Sequence, residues 1–298
     1  MDHKAFIASL SPDQARALTE TSDARGLVQL ASHLGAIALL GGLIAARVPS
    51  WPLLMLPQGI LIVFLFTALH EASHETPFRT RWLSTWTARV SGFLILLPPR
   101  WFRYFHFAHH RFTQVPGKDP ELAAPKPETW RQYFLHVSGL PVWLSHLRTL
   151  ARNAAGRCTD DFVPAARRAA VAAEARGMLV LYLALAAASL AAGSAVLLYA
   201  WIVPMLLGQP FLRLYLLAEH GRCPQVANML ENSRTTFTNA LVRRLAWNMP
   251  YHAEHHSYPA VPFHRLPEMH RLAARHLKVT ETGYARFHAK HAPRFQAD

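Results

Sequence analysis

Four apolar runs of about 20 residues, paired as two hairpins, restrict this chain to a membrane-spanning helical fold. Residues 27–48 carry only Gln29, His33 and Arg47 as clearly polar groups. At about 1.5 Å per residue such a run crosses a ~30 Å hydrocarbon core. A turn of Pro49, Trp51 and Pro52 leads to a second run, 53–69, which ends at His70. Residues 177–198 form a third run and 199–217 a fourth; the last contains Pro204 and Pro210, which membrane helices tolerate. Trp51, Tyr199, Trp201 and Tyr215 are expected at the two interfaces. Residues 90–98 are apolar but too short to span, and read as an interfacial or re-entrant piece.

Of 298 residues, 51% are hydrophobic and 16% charged, against about 25% charged in an ordinary soluble domain. Disorder is excluded, because there is ample apolar surface to bury. Cys158 and Cys223 are the only cysteines, which excludes a disulfide scaffold, a Cys₄ zinc site and an iron–sulfur cluster. The first 26 residues are polar and mixed in charge, without the apolar core of a cleaved signal peptide.

The formal net charge is +13. Residues 71–176 hold 15 Lys/Arg against 8 Asp/Glu, so the positive-inside rule places this loop and both termini in the cytoplasm. The charge follows membrane topology instead of forming one run, so nucleic-acid binding is not expected. The chain divides into a cytoplasmic N-terminal segment (1–26), a hairpin (27–74), a cap segment (75–176), a second hairpin (177–220) and a C-terminal cap (221–298). With four crossings, the ends of the second and fourth runs lie on the same side as everything after residue 220.

Three histidine clusters sit on that side: His70 and His74; His106, His109 and His110; and His252, His255 and His256. On helices, i, i+3 and i+4 spacing puts the imidazoles of each cluster on one face, as in other helical metal sites. At about 6% His, an HxxHH string is expected about 0.07 times in a chain this long, yet it occurs twice. His220, just past the fourth run, is a ninth candidate, because an ionisable residue at that depth marks a functional site. Nine imidazoles are too many for one ion and suit two, with room for a small ligand such as O₂ or water. Neutral imidazole serves Zn, Cu, Fe and Ni, so residue type alone does not select the metal. The other nine histidines, His33 among them, read as surface or satisfied core groups.

The spacing HxxxH, HxxHH, HxxHH resembles that of the membrane fatty acid desaturase superfamily. The flanking residues are similar too: His109 to Gln114 with Lys118-Asp-Pro-Glu121, Asn248 to Pro259, and Pro262 to Pro267. The three-residue gap in the first box is like acyl-lipid desaturases and related hydroxylases or ketolases. The third box begins with His252, unlike front-end desaturases.

The resemblance implies an all-α integral membrane protein: four transmembrane helices under a cytoplasmic helical cap that holds a di-metal site. It implies two iron ions held by the nine histidines, and O₂-dependent desaturation of a fatty acyl chain, lipid- or carrier-linked. Hydroxylation or ketolation of an alkyl, sphingoid or carotenoid substrate is the alternative. It also implies that Glu71, Glu75, Glu219 and Glu254, with Asn248, hold imidazole N–H groups and do not ligate metal. The substrate channel is expected near Phe64, Leu65, Trp101, Phe211 and Leu214, all of which serve equally as core or lipid contacts. The sequence has no His-Pro-Gly-Gly, Cys-x-x-Cys or Gly-x-Gly-x-x-Gly string, so a separate electron donor such as a ferredoxin or flavodoxin is expected.

Two other readings use parts of the pattern. His70-Glu71-x-x-His74 fits the zinc-protease helix, with Glu71 as general base, but leaves both HxxHH strings without a purpose. A metal transporter or sensor would carry its ligands within the spans.

Overall fold

A computed structural model describes residues 1–292 and 295. Two short helices, α1 (His3–Ala8) and α2 (Pro12–Leu18), precede the first hairpin, α3 (Asp23–Ala45) and α4 (Trp51–Ser73). The cap segment holds α5 (Arg81–Leu94), α6 (Pro99–Phe112), α7 (Trp130–Ser138) and α8 (Leu140–Ala154). The second hairpin is α9 (Arg168–Ala191) and α10 (Val203–His220), the latter entered through a π turn at Leu198–Ile202. The remainder is α11 (Met229–Asn232), α12 (Ala240–Leu245), α13 (His252–Ser257), α14 (Leu266–Ala273) and α15 (Tyr284–His291). Two three-residue strands, β1 (Thr235–Phe237) and β2 (Thr280–Thr282), pair in parallel.

Four helical stretches are long and apolar enough to cross a membrane: Pro12–Ala45, Trp51–Ser73, Ala165–Ala191 and Leu198–His220. Leu39, Leu53, Leu183 and Leu190 on them are exposed, as a lipid-facing belt requires. The third stretch begins well before residue 177 and ends at Ala191, short of the 198 expected from hydropathy. Its first turns are alanine-rich and carry Arg168, Glu174 and Arg176, which lower hydropathy without lowering helix propensity. Of the aromatics expected at the interfaces, Trp51 and Tyr199 meet at the hairpin-turn end with ring centroids 5.2 Å apart. Tyr215, by contrast, is buried against Phe64 at 5.3 Å. Residues 90–94 belong to α5, whose Trp82, Trp86 and Val90 form one exposed stripe at i, i+4, i+8. That is the pattern of a helix lying in the interface plane.

α4 and α10 cross backbone to backbone. A Cβ on Gly59 would lie 1.8 Å from the Pro204 carbonyl oxygen, and one on Gly208 would lie 2.2 Å from the Gly59 carbonyl carbon. Only glycine permits this approach, as small residues do at membrane helix crossings. Pro204 has no N–H to offer the Ala200 carbonyl one turn back. The Gln58 amide of α4 donates to that carbonyl instead, at 3.0 Å, so the two helices are also joined by a hydrogen bond. From the crossing, His70 lies eleven residues along α4 and His220 twelve along α10. At about 1.5 Å per residue both reach the same level.

Candidate metal centre

Each histidine is delivered by a helix end or a short helix. His70 lies in the last turn of α4 and His74 is its C-cap. His106, His109 and His110 lie on α6, and His220 ends α10. His252, His255 and His256 occupy α13. All nine converge. One group, His70, His74, His106, His110 and His255, brings ligand-capable atoms within 4.8 Å of one another; His109, His220 and His256 form a second such group. His252 joins the second, its Nε2 2.9 Å from His220 Nε2. The groups adjoin: the His110 and His256 rings stack with centroids 4.1 Å apart.

The second group is anchored from outside. His109 Nδ1 meets Asp119 Oδ1 at 2.9 Å, and His220 Nδ1 meets the Asn232 carbonyl at 3.1 Å. His256 Nδ1 meets Thr113 Oγ1 at 3.2 Å, and His252 Nδ1 faces Glu219 Oε1 at 3.3 Å. Hydrogen bonds hold Nδ1 of His109, His220 and His256, whereas His252 Nδ1 only faces the Glu219 carboxylate; the Nε2 atoms of His109 and His252 both approach that of His220. In the first group His74 Nε2 and His106 Nε2 lie 2.7 Å apart. His70 Nδ1, both nitrogens of His110 and His255, and His256 Nε2 are buried with no hydrogen-bond partner among the described residues. Buried polar atoms left unpaired are costly, and a metal ion would satisfy one nitrogen of each ring. Burial, reinforced by mutual repulsion, holds His106, His110, His252, His255 and His256 well below the usual imidazole range. They stay neutral, the form that binds metal. His109 differs. Burial lowers its pKa, but Glu121 and Asp119 outweigh this and raise it overall, a field that favours a cation at this ring. The donor set therefore fits a pair of ions of the imidazole-binding metals.

The expected supporting carboxylates are only partly where the sequence reading put them. Glu219 does face a boxed imidazole, His252. Glu254 points the other way, two residues on from His252 and so across the helix, to Thr235 and to His270 outside the boxes. Glu71 accepts from Thr76 Oγ1 at 2.8 Å and the Phe263 N–H at 2.9 Å, and touches no boxed ring. Glu75, beyond the helix end with φ of 62°, pairs with Arg103 at 2.5 Å. Asn248 donates to the Phe263 carbonyl at 3.0 Å. Asp119, Asn232 and Thr113 take the supporting places instead. Asp119 was legible only as an acid shortly after the second box; a backbone carbonyl leaves no mark in a sequence.

The bonds from Thr76 and Phe263 both go to Glu71 Oε1. Of the expected channel residues, Phe64 and Leu65 are close-packed core, Phe211 is exposed outside the bundle, and Trp101 donates to Asp160 at 2.8 Å. Leu214 packs beside Tyr133 and Phe287. A cleft of about 600 Å³ opens elsewhere, between α5, α6 and α9, lined by Ser73, Glu75, Arg89, Arg100, Arg103 and Phe107. Phe107 lies against His74 with ring centroids 5.6 Å apart. The cleft is of a size that takes small ligands.

Four apolar helices beneath a cap that gathers nine imidazoles define a class of membrane-embedded helical enzymes. Residues 46–289 match the family model described as fatty acid desaturase, and the chain belongs to that family. It is accordingly a membrane oxidoreductase of the desaturase and oxygenase type. It is similar to the dihydrorhizobitoxine desaturase of Bradyrhizobium elkanii, at 27% identity over 285 residues that cover 88% of this chain and 77% of that protein.

Proposed function

We propose that the protein introduces a double bond into a fatty acyl chain, lipid- or carrier-linked, using O₂ and two iron ions held by His70, His74, His106, His109, His110, His220, His252, His255 and His256. The convergence of nine buried imidazoles into two adjoining groups carries this reading. When bound, the iron pair supplies the reduction of O₂ that breaking an unactivated C–H bond requires. The chain's own residues do the rest. Neutral imidazoles present the ligand atoms; Asp119, Asn232 and Thr113 fix ring orientation from behind. The close-packed bundle under the site excludes water, and the cleft beside Phe107 adjoins His74 of the first group.

The electrons come from a separate donor, a ferredoxin, flavodoxin or similar acidic protein that docks on the basic cap. The histidine boxes and both termini face the cytoplasm, and the host membrane, in a bacterium, is the inner membrane. The similar protein is named for desaturation, which favours a double bond over a hydroxyl at this centre. Its name gives dihydrorhizobitoxine as what it desaturates, so a dihydro metabolite is the second reading. Mass spectrometry of lipid and metabolite extracts, from cells with and without the gene, tests both. A product two mass units lighter than its precursor supports desaturation, and the extract that holds it identifies the substrate class. A gain of sixteen units, or no change in either extract, overturns it.

A further inference from the structure

The strap that follows α6 carries a second acid, Glu121, beside His109. Residues Pro120–Ala123 form a single 3-10 turn capped by Asp119. Asp119 Oδ1 bonds His109 Nδ1 at 2.9 Å and also accepts the Glu121 N–H at 2.9 Å. The aspartate that orients the ring therefore also fixes the backbone of Glu121. Lys126 Nζ holds Glu121 Oε1 at 2.8 Å. The other oxygen, Oε2, is thereby aimed inward and lies 3.4 Å from His109 Nε2, the metal-facing nitrogen. That is long for a charge-assisted hydrogen bond, which spans about 2.7–2.9 Å. It matches the spacing of two donors bound to one ion, because bonds of about 2.0–2.2 Å at about 90–110° put donor atoms about 2.8–3.6 Å apart.

We propose that Glu121 is a carboxylate ligand of the second group, so that the two metal positions are chemically unlike. The proposal rests on the metal-binding reading above. One position is ringed by imidazoles alone: among the described residues no carboxylate oxygen pairs with His70, His74, His106, His110 or His255. The other is built round His109, His220 and His256, with Glu121 at His109, His252 beside His220, and Glu219 behind His252 at 3.3 Å. A carboxylate there offsets ionic charge that nine neutral rings leave uncompensated. It also gives the second ion a harder donor than the first has.

The test is Co(II) titration of the full-length protein in detergent after metal removal, followed by visible absorption and elemental analysis. Wild type takes two ions. Glu121→Gln keeps one ion with its absorption unchanged and binds the other at least roughly 100-fold more weakly, more than loss of an outer partner costs. Glu121→Asp recovers part of that affinity. Lys126→Met, which frees Oε1 but keeps the ligand, has a smaller effect. If Glu121→Gln binds two ions with unaltered affinities and spectra, the assignment of Glu121 is wrong and the metal reading stands. If wild type itself takes no metal, both fall.

Discussion

Gly59→Ala adds one methyl group, and the geometry says how much it disturbs. The new Cβ would lie 1.8 Å from the Pro204 carbonyl oxygen, 2.5 Å from its carbon and 3.0 Å from the Gly208 nitrogen. A carbon–oxygen contact settles near 3.3–3.6 Å, so α4 and α10 must separate by about 1.5 Å. The obstacle is backbone on both sides, so no side chain can swing away. Overpacking of this kind costs about 1–3 kcal/mol. The separation carries up to His70 and His220, and second-group nitrogen spacings of 2.9–3.2 Å cannot absorb it. Misplacement by about 1 Å costs about 100-fold in rate. Gly59→Ala is therefore expected to lower turnover about 100-fold and to lose bound metal. The control is Gly42→Ala on α3, where an added Cβ meets nothing within 4 Å. It should leave turnover unchanged and raise stability by about 0.5–1 kcal/mol, the usual helix gain over glycine. Turnover, elemental analysis and thermal midpoint in detergent measure all three quantities. A Gly59→Ala protein with wild-type rate and metal content would refute the claim that this crossing sets the geometry of the site.

His106→Ala and His255→Ala should each abolish turnover while membrane insertion, followed by fractionation, survives; full activity in both would remove them from the site. Asp119→Asn keeps the shape but not the charge behind His109, and should weaken metal binding about 10–100-fold, read by competition with a chelator. Acid should destabilise the fold even apart from the boxes. Burial, then nearby arginines, hold His136, His146 and His264 down to about 4 from 6.5. Between those values the unfolded chain binds more protons, so stability is complete above about pH 6.5 and falls as pH drops towards 4. A thermal midpoint that stays flat over that range would contradict this.

The boxes were legible because ligand spacing is a local property: i, i+3 and i+4 fix a helix face wherever the helix goes. The spans were legible because lipid demands long apolar runs. The limits of the third span were not, because an alanine-rich helix start with Arg168 and Glu174 reads as polar while folding as helix. The supporting acids were the least legible. Glu71 and Glu254 adjoin boxed histidines in sequence but project about 100° and 200° around their helices, away from the rings. Glu75 leaves α4 at a left-handed residue and turns to Arg103. Asp119 reaches His109 only because a loop folds back after α6, and β1 and β2 pair across 45 residues of chain. Such contacts are set by tertiary packing, which single-sequence periodicity does not encode. His33 shows the converse: a lone histidine in an apolar helix that bonds the Leu61 carbonyl at 2.8 Å and accepts from Trp247, a satisfied core group.

X-ray absorption at the iron edge of the purified protein addresses most directly whether these rings grip iron. Two irons per chain are expected, each in a nitrogen-rich shell at about 2.0–2.2 Å with the multiple scattering of several imidazoles. A preparation that holds a single zinc, or iron with no imidazole scattering, would contradict it.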